Sequence, residues 1–181
     1  MARIRISGGE WRSRLVKVAD NVQGLRPTPD RVRVTLFNWL GHDLSGLRCL
    51  DLFAGSGILG FEAASRGAAH VTFIEQAPDA FKALQQNAAA LGAGAGMQLE
   101  LIRSDALKFL PTVAQPYDLV FLDPPYHLGW LERIAPLLER VVKPEARLYV
   151  EAEHAVDTLG PWRSVKRGHA GQVFYQLLEQ P

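Results

Sequence analysis

Residues 47–60, Leu47-Arg-Cys-Leu-Asp-Leu-Phe-Ala-Gly-Ser-Gly-Ile-Leu-Gly60, decide the fold. An apolar run of strand length gives way to glycines spaced Gly55-x-Gly57-x-x-Gly60, and residues 57–66 then read as a helix. A strand that turns through glycines into a helix is the opening unit of a doubly wound α/β sheet. Around it, strands are predicted over 47–53, 70–75, 97–102, 117–122, 146–151, 161–166 and 172–178. Helices are predicted over 57–66, 78–91, near 105–110 and over 128–142. Strands alternating with helices pair in parallel through right-handed crossovers. The last two strands follow each other across Arg167-Gly-His-Ala-Gly171 with no helix between, and read as an antiparallel pair at one edge. The expected core is thus a seven-stranded, mostly parallel sheet with an antiparallel edge strand. Gly92-Ala-Gly-Ala-Gly96 reads as a loop rather than a linker.

The 181 residues suffice for one α/β domain, with 48% hydrophobic and 22% charged side chains. One domain is expected over 1–181, made of a basic hairpin arm (1–28) and a core (29–181). No apolar run reaches 18 residues, and Met1-Ala-Arg-Ile-Arg-Ile6 lacks the apolar centre of a signal peptide. The single cysteine, Cys49, lies in an apolar strand and reads as a core residue rather than a nucleophile. These features point to a cytoplasmic setting.

The net charge of +1 is unevenly spread. Residues 1–33 hold eight basic and three acidic side chains, a net of +5; the other 148 hold twelve basic and sixteen acidic, a net of −4. Such an arm suits a polyanionic partner, although a solvated terminus has the same composition. Arg3-Ile-Arg-Ile6 and Leu15-Val-Lys-Val18 alternate charge and apolarity about Ser7-Gly8-Gly9, the pattern of a hairpin with one basic face. Arg26-Pro-Thr-Pro-Asp30 then opens a helix with Thr28 as candidate N-cap, Pro29 at its first position, and an apolar stripe of Val32, Leu36, Phe37 and Leu40 ending at Gly41.

Ligands of such sheets sit at the carboxyl ends of the strands. Glu75 follows Gly55 by twenty residues, where a carboxylate grips ribose hydroxyls, so a dinucleotide is one candidate ligand. Asp51, before the glycines, would repel a pyrophosphate but suits the amino group of an amino-acid tail. Asp105, after the third strand of the alternation, could accept from an adenine amine or cap a short helix; both roles can coexist. S-adenosylmethionine offers amino acid, ribose and adenine in that order.

The fourth strand ends in Asp123-Pro-Pro-Tyr126. Two prolines fix the chain and remove two N–H donors, leaving the Asp123 carboxylate and the Pro124 carbonyl as acceptors on a rigid turn. Two acceptors holding the hydrogens of an exocyclic amine would localise its lone pair toward an electrophilic methyl, with alignment doing much of the rest. Tyr126 could stack on the base, which must leave its helix to arrive. A plain tight loop is the alternative. The five histidines (42, 70, 127, 154 and 169) form no hydrolytic or metal-ligand spacing, and no metal is expected.

The chain resembles the bacterial 16S rRNA guanine-966 N2-methyltransferase family nearly end to end. The residues that carry the resemblance are Arg5-Ile-Ser-Gly-Gly-Glu-Trp-Arg12, Arg26-Pro-Thr-Pro-Asp-Arg-Val-Arg33, Leu36-Phe-Asn-Trp-Leu40, Asp51–Gly57, Asp123–Tyr126 and Ala170-Gly-Gln172. The resemblance implies a Rossmann-like class I S-adenosylmethionine-dependent methyltransferase acting on 16S rRNA or the small ribosomal subunit; an enzyme this small could act as a monomer. By position, Asp51, Phe53, Ala54, Gly55, Gly57, Glu75, Asp105 and Ala106 would hold the cofactor. Asp123, Pro124, Pro125 and Tyr126 would form the catalytic turn. Arg3, Arg5, Arg12, Arg14, Arg26 and Arg31 would meet RNA. Val34 departs from the glutamate common after Arg-Val-Arg in the family. Three other readings are a DNA adenine-N6 methyltransferase, an NAD-dependent oxidoreductase and a non-catalytic RNA-binding factor. The first is disfavoured because the chain has no separate target-recognition domain. The second is disfavoured by Asp51.

Overall fold

The computed structural model describes residues 2–20, 27–94 and 96–181. A hairpin of β1 (Arg3–Arg5) and β2 (Leu15–Lys17) leads to α1 (Asp30–Leu40). Then come β3 (Arg48–Asp51), α2 (Ile58–Ser65), β4 (His70–Glu75), α3 (Pro78–Leu91), β5 (Gln98–Arg103), α4 (Ala106–Phe109), a 3-10 turn over Leu110–Thr112, β6 (Tyr117–Leu122) and α5 (Trp130–Leu138). The chain ends in β7 (Val142–Ala152), β8 (Thr158–Leu159), β9 (Trp162–Ala170) and β10 (Val173–Glu179).

Strands β3 to β10 form one sheet in the order β5-β4-β3-β6-β7-β10-β9-β8. The five strands from β5 to β7 are parallel, and the strand order reverses between β3 and β6. That puts the glycine turn after β3 beside the Asp-Pro-Pro turn after β6, at the place where such sheets bind ligands.

Among the described residues the sheet has eight strands, not seven. Thr158–Leu159 pairs with Arg163 and Trp162 across Gly160-Pro161, adding a short strand ahead of the one expected over 161–166. The antiparallel part is likewise wider than one edge pair: β10 lies inside the sheet, antiparallel to both β7 and β9. The residues Arg167–Ala170 belong to β9 rather than to a loop, and the chain reverses at Gly171-Gln172. Helix α5 is shorter than the 128–142 expected. Gly129, with φ 68°, starts it late, and β7 takes the chain from Val142.

The hairpin does not stand off the body. Helix α2 is buried at every position from Ile58 to Ser65. A helix apolar all round needs cover on both sides; the sheet supplies one and the hairpin the other. Ile4, Ile6, Trp11, Val16 and Val18 join the same apolar cluster as α1, α2 and Phe73, with Trp11 edge-on to Phe61. Polar groups of α2 fix the register. Ser65 Oγ donates to the Gly8 carbonyl (2.6 Å) and accepts from the Trp11 N–H (2.8 Å). Glu62, fully buried, accepts from the Ser7 N–H (3.0 Å), Ser7 Oγ (2.7 Å), Arg33 Nε (3.2 Å) and Arg66 Nη1 (2.6 Å). Arg33 is therefore buried, at 1% exposure, and is withdrawn from the basic face counted in the arm.

Thr28 is not the N-cap of α1. That position is Pro29, without a side-chain cap, while buried Thr28 points its hydroxyl at Asp123 (Oγ1 to Oδ2, 3.4 Å). Its carbonyl accepts from Arg33 Nη1 at 2.8 Å. Cys49 is buried in the core, its thiol pushed up to about 12 chiefly by burial.

Removing one partner from a buried charge network leaves the others uncompensated. Glu62→Ala is expected to lower unfolding stability by about 3–5 kcal/mol, read by urea denaturation. A loss within that of ordinary surface substitutions would show that Glu62 is dispensable.

Candidate functional site

One cleft opens at the carboxyl ends of β3, β4, β5 and β6 and encloses about 970 Å³, its open mouth included. Asp51, Glu75 and Asp105 line one part of it in chain order, and Asp123 with Pro124 and Pro125 lines another. Phe53, Ala54, Gly55 and Ala106 line it too.

Asp51, Glu75 and Asp105 are each held by backbone. Asp51 ends β3 and its Oδ2 accepts from the Gly60 N–H (3.0 Å) in the first turn of α2. It serves a donor that the N-cap of that helix, Gly57, has no side chain to reach. Burial is the largest influence on Asp51 and pushes its carboxyl from 3.8 up to about 7. The Gly60 N–H opposes that rise, and the charges of Glu75 and Glu151 add to it. Glu75 accepts from the Gly55 N–H on Oε1 (2.9 Å) and from the Ala77 N–H on Oε2 (2.7 Å). Each oxygen keeps a second lone pair for a ligand hydroxyl. Asp105 caps α4, accepting from the Lys108 N–H at 2.9 Å.

Two positions behave differently from the sequence reading. Gly57 does not line the cleft. It turns the chain at φ 89°, and a Cβ there would stand 2.5 Å from Leu84 and Phe61, so both the backbone conformation and the packing require glycine. The third glycine, Gly60, lets Phe73 close against α2 in the same way, at 2.2 Å from a built Cβ. Tyr126 is partly buried beside the cleft but is not among its walls, and its ring meets His127 edge-on at 6.2 Å.

Sequence reading missed Thr28 and Pro27 as walls, and left Trp130 open between a lid and simple packing. Thr28 and Pro27 close the cleft from the arm side. Trp130 closes it from α5, edge-to-face on Phe53 at 5.4 Å, its buried indole N–H without a hydrogen-bond partner. The Arg-Pro-Thr-Pro stretch was the available signal for the first pair, since a rigid segment need not be a helix start.

Of the arginines assigned to RNA, Arg3, Arg12 and Arg31 are exposed. Arg5 and Arg14 are exposed as well, with one nitrogen each on a backbone carbonyl, Ser13 (2.9 Å) and Ala90 (2.7 Å). Arg26 lies outside the described residues. Val34 is 45% exposed on the outer face of α1. Among the described residues no group of three or more His, Cys, Asp or Glu could hold a metal ion, and no helix is long and apolar enough to cross a membrane.

The profile of a family described as Conserved hypothetical protein 95 matches residues 4–179. The chain is 44% identical over 183 residues to ribosomal RNA small subunit methyltransferase D of Escherichia coli K12, covering 98% of this chain and 90% of that one. The Haemophilus influenzae protein of the same name is 42% identical, covering 97% and 93%. Among solved structures, yhhF of Escherichia coli superposes with a TM-score of 0.85 at 43% identity, covering 99% of this chain and all of that one. Precorrin-6y C5,15-methyltransferase of Geobacter metallireducens shares the fold alone, with a TM-score of 0.71 at 17% identity, covering 92% and 94%.

Between about pH 4 and 7 the folded protein keeps a proton on Asp51 that the unfolded chain releases. Stability linked to this group therefore falls as pH rises through that window and levels off above it. The stability of wild type minus that of Asp51→Asn, from unfolding titrations at a series of pH values, is expected to follow that fall. A difference that stays flat across the window would mean that Asp51 ionises in its ordinary range.

Proposed function

The chain belongs to the Conserved hypothetical protein 95 family, and from that premise we propose that it methylates the exocyclic N2 amine of a guanine in small-subunit 16S rRNA, using S-adenosylmethionine. The observation that carries the reading is a single cleft with backbone-held carboxylates along one side and the Asp123-Pro-Pro turn along another. The names of the two near-full-length relatives specify small-subunit ribosomal RNA, which favours it over duplex DNA.

The residues present fit the cofactor. Asp51 suits the ammonium of an amino-acid tail and Glu75 a pair of ribose hydroxyls. Asp105 keeps acceptor capacity beyond its cap for an adenine amine. When bound, S-adenosylmethionine supplies an electrophilic methyl group on a sulfonium. The cationic ligand would favour the ionised form of Asp51 over the protonated form that burial promotes.

The protein's part is to hold the amine. Its lone pair is delocalised into the base, and the Asp123 carboxylate with the Pro124 carbonyl would grip its two hydrogens and turn the lone pair toward the methyl. The rigid turn fixes both acceptors before the base arrives, so little reorganisation accompanies the reaction. Thr28 Oγ1, directed at Asp123 Oδ2, orients that carboxylate. Once methylated, the amine nitrogen is strongly acidic, so no potent general base is needed. Tyr126, next after the turn, would stack on the base; Arg3, Arg5, Arg12, Arg14, Arg26 and Arg31 would lie along phosphates.

The test is transfer of labelled methyl to unmodified small subunits, naked 16S rRNA and duplex DNA in parallel, with the product nucleoside identified. N2-methylguanosine from RNA or subunits alone is expected; N6-methyladenine from DNA would overturn the reading. Asp123→Ala should cut turnover far more than cofactor affinity, and equal losses in both would make Asp123 a cofactor residue instead. RNA affinity should fall steeply between low and moderate salt as counterions are released, whereas a flat response would remove the arginines from the interface.

A further inference from the structure

Two acceptors around an amine do not choose a base. Adenine N6, cytosine N4 and guanine N2 all present two hydrogens to Asp123 and Pro124. What differs is the neighbouring ring nitrogen: in guanine N1 carries a hydrogen, whereas in adenine and cytosine it is a lone pair. An acceptor beside Asp123 would therefore select guanine, which alone of the three has a ring N–H next to its amine.

The sheet brings an acceptor close to that place, Glu151, which lies behind the walls of the cleft and does not itself line it. The parallel ladder between β6 and β7 pairs Phe121 with Tyr149 and ends at Leu122 with Val150. Asp123 follows Leu122 and Glu151 follows Val150, so the two carboxylates come next after the last pair of a ladder between adjacent strands, whose spacing is about 4.8 Å. Pleating sends them to the face that carries the Phe121 and Tyr149 rings, whose centroids lie 6.3 Å apart. Asp51, opposite Phe121 in the next ladder, faces the same way. Glu151 is 3% exposed, and its Oε1 accepts from the Tyr149 hydroxyl at 2.6 Å. That hydroxyl is itself fully buried, so the carboxylate is fixed by a rigid ring and not by water. The electrostatics agree with this proximity: the charge of Glu151 is felt at Asp51, and that of Asp123 at Tyr149. The chemistry assigned to Asp123, Glu75 and Asp51 leaves this buried carboxylate unused.

We propose that Glu151, oriented by Tyr149, accepts the guanine N1–H and is the residue that restricts the reaction to guanine. The assignment rests on the guanine-amine reading above. An ionised carboxylate accepts only, so it would repel the ring lone pair of adenine or cytosine brought to the same position. Enzymes that act on extruded bases read them by the Watson–Crick edge, and here Glu151 extends the acceptor row of Asp123 and Pro124 along that edge.

The experiment compares guanine with 2-aminopurine at the target position of small-subunit rRNA assembled by ligation. 2-Aminopurine keeps the 2-amine but has a lone pair at N1. Wild type should prefer guanine, and Glu151→Gln, which can donate as well as accept, should lower the guanine-to-2-aminopurine ratio of kcat/KM by about 10- to 100-fold, the range of one hydrogen bond to a charged group. Tyr149→Phe keeps the carboxylate and loses only its orienting donor, so it should lower the same ratio less, and it reads the effect if Glu151→Gln does not fold. Equal losses on both substrates, with the ratio unchanged, would make Glu151 a structural residue and overturn the assignment while leaving the guanine reading intact. Failure of wild type to methylate guanine while cofactor still binds would overturn both.

Discussion

A carboxylate with no access to solvent holds the molecule together. Glu62 lies inside a helix that is buried all round, and its two oxygens collect a guanidinium from α1, another from Arg66 at the C-cap of its own helix and both donors of Ser7 in the hairpin. Alone, such a charge would cost several kcal/mol to bury. Two cations and two neutral donors offset that cost, and all of them must then be delivered to one place. The hairpin, α1 and α2 are consequently fixed relative to one another with more precision than apolar packing gives, since apolar contacts are non-directional.

The same network reaches the chemistry. Arg33 spends its Nε on Glu62, its Nη1 on the Thr28 carbonyl and its Nη2 on the Arg5 carbonyl and Asp30. Thr28 in turn directs its hydroxyl at Asp123. A surface that would meet phosphate and a turn that would hold a base are therefore joined by a short run of buried polar contacts. At the carboxyl edge of the sheet the charge is of the other sign. Asp51, Asp123 and Glu151 share a face, and the raised carboxyl of Asp51 reflects how little solvent is there to disperse that charge. Such a site is poised for cationic and hydrogen-donating ligands.

Much of this was legible in the sequence because it is local. The strand-glycine-helix unit at 47–60, the helix over 78–91 and the Asp-Pro-Pro turn each follow from residues within a few positions of one another, and so does their arrangement at a topological switch point. The misreadings are non-local. Gly57 matches a ligand-binding spacing, yet its need for φ 89° and for space beside Leu84 is a matter of packing from a distant helix. Thr28 has every local mark of an N-cap, but a carboxylate 95 residues away claims its hydroxyl. The two-residue β8 is too short for any periodicity to mark. Arg33 looked like one more surface cation because nothing near it in the chain says that Glu62 is buried. One signal was present and unused: Ile58-Leu-Gly-Phe-Glu-Ala-Ala-Ser65 is apolar on every side but one, which already requires a second layer over it.

That second layer constrains how the protein can change over evolutionary time. A tail that merely trails from a catalytic domain can be exchanged as a cassette, giving an old enzyme a new address on a different RNA. Here Trp11 is a core residue, Ser7 is a ligand of Glu62, and the backbone of Lys17 exchanges hydrogen bonds with Asn87 on α3. A graft would have to bring those partners with it. Sequence variation is thus channelled to the outward side chains of the hairpin and to the loop after the Asp-Pro-Pro turn, where Leu128 stands 58% exposed, while the hairpin backbone is inherited with the core.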